Sequence, residues 1–338
     1  MSTIGDVAKR AGVSAMTVSR VINNSGYISQ ETRERVEQAI AELGYVPNAL
    51  ARGLRFKQTK TLALVLTDIT NPFFTTVARG VEDAASEQGF TVMFCNTDES
   101  EEKEASYLNV LVQKQVDGVL LVPAQSSPDS VTFLRERGVR FVVLDRRIPG
   151  ADVDTVRCDS EHGACELVRY LLNLGHRRIA VLSGPEAVST AADRVAGYRR
   201  ALVEAGLDVD PVLERYGSFT QDGGYGMAQA VLAAPQPPTA LFAANNFIAI
   251  GALRALRQAG LRVPGDVSLV TFDDLPAAMV IDPFLTVAAQ PAYEMGRQAT
   301  ALLLNRLIER DLEAPHEIIL PTELIVRAST APPSTSML

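Results

Sequence analysis

Carboxylates and amides recur just beyond apolar runs in the larger, C-terminal part of the chain. Asp68 and Asn71 follow TLALVL, Asp145 and Arg146 follow RFVVL, and Asn245 and Asn246 follow TALFAA. Asp273 and Asp274 follow VSLVTF, and Gln290 follows VAA. Side chains of these types donate and accept hydrogen bonds in defined directions. One or two would be ordinary strand-end polarity, whereas a full set after successive strands suits a ligand with many hydroxyl groups. A second group lies near the N-terminus. Arg20 carries a guanidinium that matches the paired acceptors of guanine. Thr17, Ser19 and Ser29 are short hydroxyl donors suited to phosphate, and Ala15 and Met16 can touch a thymine methyl or only fill space.

Catalytic patterns are missing. No GxGxxG follows the first apolar run and no GxxxxGK[ST] occurs. His162, His176 and His316 stand singly, and Cys95, Cys158 and Cys165 form no CxxC pair. The chain reads as a non-enzyme without cofactor or metal, its cysteines reduced and buried.

Periodicity indicates the elements that carry these groups. Thr3 and Asp6 form a capping-box variant opening a helix with Val7, Ala8 and Ala11 on one face, which Gly12 ends. Ser14 can cap a second helix, AMTVSRVIN, with Val18, Val21 and Ile22 inward. A third is expected from about Thr32 to Leu43, stopped by Gly44. Two short helices joined by a glycine-containing turn and braced by a third make a helix-turn-helix, though periodicity fits a plain three-helix bundle equally. Beyond residue 60, the runs TLALVLTD, TVMFCN, DGVLLVPA, RFVVLD, RRIAVLSG, TALFAANN and VSLVTFDD alternate with amphipathic stretches. Continuous Val/Leu runs of this kind predict parallel sheets covered by helices on both faces, in two lobes, with ligands beyond the carboxyl ends of the strands.

Charge follows the same division. The net charge is −8 over 338 residues. Residues 1–60 hold nine basic and five acidic side chains, a balance of +4, leaving −12 for the rest. A small basic head on an acidic body predicts a polyanionic partner for the head alone. The start lacks an apolar signal core, and no apolar run nears the ~20 residues of a membrane span, so a cytoplasmic chain with no membrane partner is expected.

IGDVAKRAGVSAMTVSRVIN, followed by the VSxxTRxRVxxAIAELGYVPN pattern with Ile28 for its valine, closely resembles the DNA-binding head of the lactose-repressor (LacI/GalR) family. The resemblance continues through the body, which is similar to the periplasmic sugar-binding fold. It implies an all-α helix-turn-helix head on an α/β two-lobed body of parallel sheets flanked by helices. Residues 1–46 would be the head, 47–60 a hinge helix and linker, 61–330 the effector-binding and dimerisation domain, and 331–338 a disordered tail. The lobes would comprise about 61–158 with 290–317, and about 159–289 with 318–330.

The same resemblance implies roles. The DNA-facing set is Thr3, Ser14, Ala15, Met16, Thr17, Ser19, Arg20, Ser29, Asn48, Arg52, Leu54 and Arg55. In YVPNALARGLRF, Leu54 would wedge into the minor groove while Arg52 and Arg55 reach phosphates, and Leu50 would join paired hinge helices. Spacing alone would instead favour both leucines packing down onto the nearest domain. For the effector, DITNPFF supplies Asn71, Phe73 and Phe74, LDRRIPG supplies Asp145 and Arg146, and ADRVAGY supplies Arg194. Phe219, Asn245, Asp273 and Gln290 complete the set. Two positions depart from the family pattern: Asn246 stands where Asp is usual, and Thr271 where Gly is usual. The implied protein is a homodimeric repressor on a palindromic operator, controlled by ribose or a similar monosaccharide. The rival within the family is control by a protein corepressor.

Overall fold

The computed structural model describes residues 2–46, 58–275, 283–308 and 314–334. The chain divides into two compact units, Met1–Thr59 and Lys60–Leu338.

In the first unit, Thr3 caps α1 (Ile4–Ala11), and a reciprocal bond from its own backbone to Asp6 completes the capping box. Gly12 takes φ 66° and ends the helix, a conformation that costs glycine little because it has no Cβ. Ser14 caps α2 (Ala15–Ile22), accepting from the Thr17 backbone. The next helix, α3 (Gln30–Leu43), starts two residues ahead of the expected Thr32, because Ser29 is the cap and Thr32 donates to it. Val7, Val18 and Val36 are fully buried where the three helices meet, joined by Ala8, Ala11, Val21 and Ala39.

The second unit holds two six-stranded sheets among the described residues. The first contains β1 (Thr61–Leu66), β2 (Thr91–Asn96), β3 (Gly118–Leu121), β4 (Arg140–Leu144), β5 (Thr155–Cys158) and β11 (Glu317–Leu320). Their order is β11-β5-β4-β3-β1-β2, and every pairing is parallel. One face packs on α4 (Pro72–Glu87) and α11 (Ala292–Ile308), the other on α5 (Glu101–Gln113) and α6 (Asp129–Glu136). The second sheet runs β12-β10-β9-β8-β6-β7. Its strands are β6 (Ile179–Ser183), β7 (Glu214–Tyr216), β8 (Ala240–Ala243), β9 (Ser268–Phe272), β10 (Thr286–Ala289) and β12 (Glu323–Ile325), with only β12 antiparallel to its neighbour. Its faces are covered by α7 (Ser160–Asn173) with α8 (Ser189–Glu204), and by α9 (Gln221–Leu232) with α10 (Asn246–Gln258).

The chain passes between the lobes three times: from β5 into α7, from β10 through Gln290 into α11, and from β11 into β12. Two expected boundaries need correction. The last crossing lies at Pro321–Thr322, not between 317 and 318, because residues 317–320 pair with β5 as β11. The tail expected to be disordered from 331 is ordered as far as it is described. The Ala331 N–H donates to Ser268 Oγ, its carbonyl accepts from Ser268 Oγ and from His176 Nε2, and Pro333 packs near Gly175. Residues 335–338 lie outside the described residues.

Candidate functional site: a cleft between two lobes

The carboxyl ends of both sheets open on one cavity of about 480 Å³. Sharp turns aim its acidic groups. Asp145 follows β4 at φ 62° and Asp273 follows β9 at φ 66°, both in the left-handed region that residues with a Cβ seldom adopt. In each case the backbone N–H is held by the adjacent strand: Asp145 donates to Val156 and Asp273 to Ala288. Helix starts supply the amides. Asn71 caps α4 by accepting from Phe73, and Asn245 caps α10 by accepting from Ile248 at 2.8 Å.

All ten residues expected at the effector site line this cavity: Asn71, Phe73, Phe74, Asp145, Arg146, Arg194, Phe219, Asn245, Asp273 and Gln290. Phe73 and Phe74 both reach it, in an edge-to-face pair with centroids 5.0 Å apart. Phe219 enters from the other lobe over Gly184, where a Cβ would stand 2.1 Å from the ring. Asp273 accepts from Gln290 Nε2 at 2.6 Å, leaving Gln290 Oε1 buried without a partner. Arg194 Nη1 donates to the Ala244 carbonyl, and its guanidinium lies 4.0 Å from the Phe272 ring, while its Nε has no partner. Burial raises the Asp145 pKa to about 6 against the opposing pull of Arg194 and Arg146. Burial likewise raises Asp273, opposed by Arg194 and Gln290.

Several lining residues escaped the sequence reading, notably Thr67, Asp98, Glu99, Pro185, Thr190 and Ser218. Asp98 and Glu99 follow β2 as Asp68 follows β1, so the strand-end rule would have found them. Asp274, although at a strand end, faces away and pairs with Arg327 at 2.6 Å. The two departures acquire reasons. Asn246 Nδ2 donates across the lobes to Asn71 Oδ1 at 2.9 Å, which an ionised aspartate could not do. Thr271 is fully buried and donates to the Phe272 carbonyl.

In the first unit, Ala15, Met16 and Arg20 are exposed on α2, and Thr17 and Ser19 are half-exposed. The Arg20 side chain has no hydrogen bond or ion pair among the described residues. Thr3, Ser14 and Ser29 are exposed caps, and the hydroxyls of Ser14 and Ser29 also bond Thr17 and Thr32. Asn48, Leu50, Arg52, Leu54 and Arg55 lie outside the described residues. No described helix is long and apolar enough to cross a membrane.

A helix-turn-helix unit joined to a two-lobed α/β unit with a polar cleft defines a class of ligand-responsive DNA-binding proteins. Sequence comparison gives the family. The profile for bacterial regulatory proteins of the lacI family matches residues 3–48, and that for periplasmic binding proteins and the sugar binding domain of the LacI family matches 59–328. The chain belongs to the LacI family of DNA-binding transcriptional regulators. It is 40% identical over 339 residues to the HTH-type transcriptional regulator DegA of Bacillus subtilis (strain 168), covering 99% of each chain. The lac repressor dimer bound to operator and the anti-inducer ONPF aligns with TM-score 0.86 at 28% identity, over 98% of this chain and 99% of that one. A LacI-family regulator from Enterococcus faecium with bound ribose aligns with TM-score 0.72 at 33% identity, over 81% and 100%. The chain is a regulator and not an enzyme.

Proposed function

We propose that the protein is a homodimeric, cytoplasmic repressor that binds a palindromic operator and responds to ribose or a similar monosaccharide. The carrying observation is the cleft itself. Carboxylates, amides and an arginine from both lobes and a crossover converge on one cavity together with three phenyl rings. Phenyl faces suit the C–H faces of a sugar ring, and the polar groups suit its hydroxyls. The ribose-bound relative supports the choice of sugar. A protein corepressor would have no use for buried, unpartnered donors and acceptors inside a cleft.

In this reading Asp145 and Asp273 accept from ligand hydroxyls, Arg194 and Asn245 donate, and Phe73, Phe74 and Phe219 sandwich the ring. A bound sugar joins the two lobes and changes the spacing of the paired heads on their half-sites. Coupling is reciprocal, so a sugar that weakens operator binding is itself weakened by operator to the same degree. On DNA, Arg20 reads bases from α2 and Leu54 wedges a central step. Calorimetry with D-ribose and operator gel shifts test the scheme together. Asp273→Ala should keep operator binding and lose the ribose response, whereas Leu54→Ala should do the reverse. Unchanged ribose affinity in Asp273→Ala would remove the cleft from the mechanism, and unchanged operator affinity in Leu54→Ala would remove the wedge.

A further inference from the structure

Two arginines line the cleft among the described residues, and one of them is already engaged. Arg146 Nη1 and Nη2 donate to Oε2 and Oε1 of Glu99, each at 2.6 Å. Nη1 also donates to the carbonyls of Pro123 and Ala124 at 2.9 Å. Its Nε is buried, 4.0 Å from Asp145. A guanidinium gripped in this bidentate way has its charge neutralised by its partner, and its one nitrogen without a hydrogen bond, Nε, is buried on the side of Asp145. The loop carrying Glu99 is shaped for the purpose. Asp98 and Glu99 both take left-handed φ values, 52° and 59°, which residues with a Cβ adopt only where the surroundings hold them there. Asp98 is pinned by Asn96 Nδ2 and by the Lys103 ammonium.

With Glu99 on Arg146 and Asp98 on Lys103, what remains is one arginine against three carboxylates, Asp68, Asp145 and Asp273. Arg194 is spent on the Ala244 carbonyl at one terminal nitrogen, and Asp145 and Asp273 face the same cavity. Burial holds the Asp145 carboxyl above its ordinary range against the pull of Arg194 and Arg146, and Asp273 and Glu99 add smaller upward pushes.

We infer that Glu99 is a charge filter: by neutralising Arg146 it leaves the cleft negative, so that the effector is an uncharged polyol and phosphorylated sugars are turned away. The inference rests on reading the cleft as the effector site and adds its selectivity. It makes Glu99 a specificity determinant alongside the ten residues already named.

The test is calorimetry on the full chain with D-ribose and with D-ribose 5-phosphate, for the wild type, Glu99→Gln and Glu99→Ser. Glutamine is nearly isosteric and keeps a carbonyl for Arg146, and serine guards against an idiosyncrasy of one replacement. The thermal midpoint of each variant reports folding. The wild type should give no binding of the phosphosugar, and both variants should gain at least about tenfold in affinity for it, with the gain shrinking as salt rises. Wild-type protein that binds ribose 5-phosphate as tightly as ribose would overturn the filter, as would variants with no gain. If the wild type takes up neither sugar, the assignment of ribose falls, while a gain in the variants still supports the filter.

Discussion

Asp145 is held by two opposing demands. Its backbone sits in the left-handed region and its carboxylate is buried, with no hydrogen bond among the described residues and Arg146 Nε no nearer than 4.0 Å. Burial raises its pKa from 3.8 to about 6. A raised acid pKa means that the folded state prefers the protonated form. The stability it contributes is therefore present below about pH 4 and lost as pH rises through about 6. Asp145→Asn should stabilise the ligand-free protein at pH 7.5, by roughly 3 kcal/mol at most, with the gain fading toward pH 4. Denaturant titrations at both pH values check this, and a gain independent of pH would contradict it. Ligand binding should run the other way. A carboxylate accepts from sugar hydroxyls better than a carboxyl, so ribose affinity should fall as pH drops below 6, by up to about tenfold per unit for one coupled proton. In Asp145→Asn that dependence should flatten.

Helices α4 and α11 touch backbone to backbone. A Cβ at Gly80 would stand 2.1 Å from the Tyr293 carbonyl oxygen, and one at Gly296 would stand 2.2 Å from that of Val77. The two glycines face each other across the contact and let α11, which follows a lobe crossing, lie flat on α4. Gly80→Ala should therefore cost about 2 kcal/mol, since the helices must separate. Gly226 in α9 is exposed with nothing within 4 Å, so Gly226→Ala should gain about 0.5–1 kcal/mol through helix propensity. Thermal unfolding of the pair checks both signs. The elements differ in how clearly the sequence announces them. The seven apolar runs foretold β1, β2, β3, β4, β6, β8 and β9, of which β3 and β8 are only four residues long. β5, β7, β10, β11 and β12 have three or four residues each and lie outside those runs; they form because neighbouring strands offer them a ladder, and such a cause leaves no periodicity to read.

At the scale of the molecule, the lobes are clasped beside the cleft by groups outside it. Arg147 Nη2 pairs with Asp193 at 2.5 Å, the Arg147 backbone N–H donates to Ser189 Oγ, and the Ser189 N–H donates to Ser126 Oγ. With Asn246 and Asn71, these bonds span from the first lobe to the second. Closure is then shared between ligand and protein, and weakening the clasp should tax binding by the population of closed molecules lost. Arg147→Ala should lower ribose affinity a few-fold and raise the radius of gyration seen by small-angle scattering. The pair is partly exposed, so the effect is modest. Combining Arg147→Asp with Asp193→Arg should restore both readings, and a failure of the exchange to recover either would place the effect elsewhere.

The chain's own residues determined the helix-turn-helix, the alternation of strand and helix, and the identity of most cleft residues. Those properties are local: caps such as Thr3 and Ser14, the stop at Gly44, and polar groups set at strand ends all act within a few residues. The tertiary structure alone decided that Glu99 engages Arg146, that Asp274 turns outward while Asp273 turns in, that Asn246 bridges the lobes, and that residues 317–320 return to the first sheet. Each of these depends on partners 47 to 175 positions away. Which way a side chain at a strand end points, and whose charge it meets, is fixed only when distant segments have packed around it.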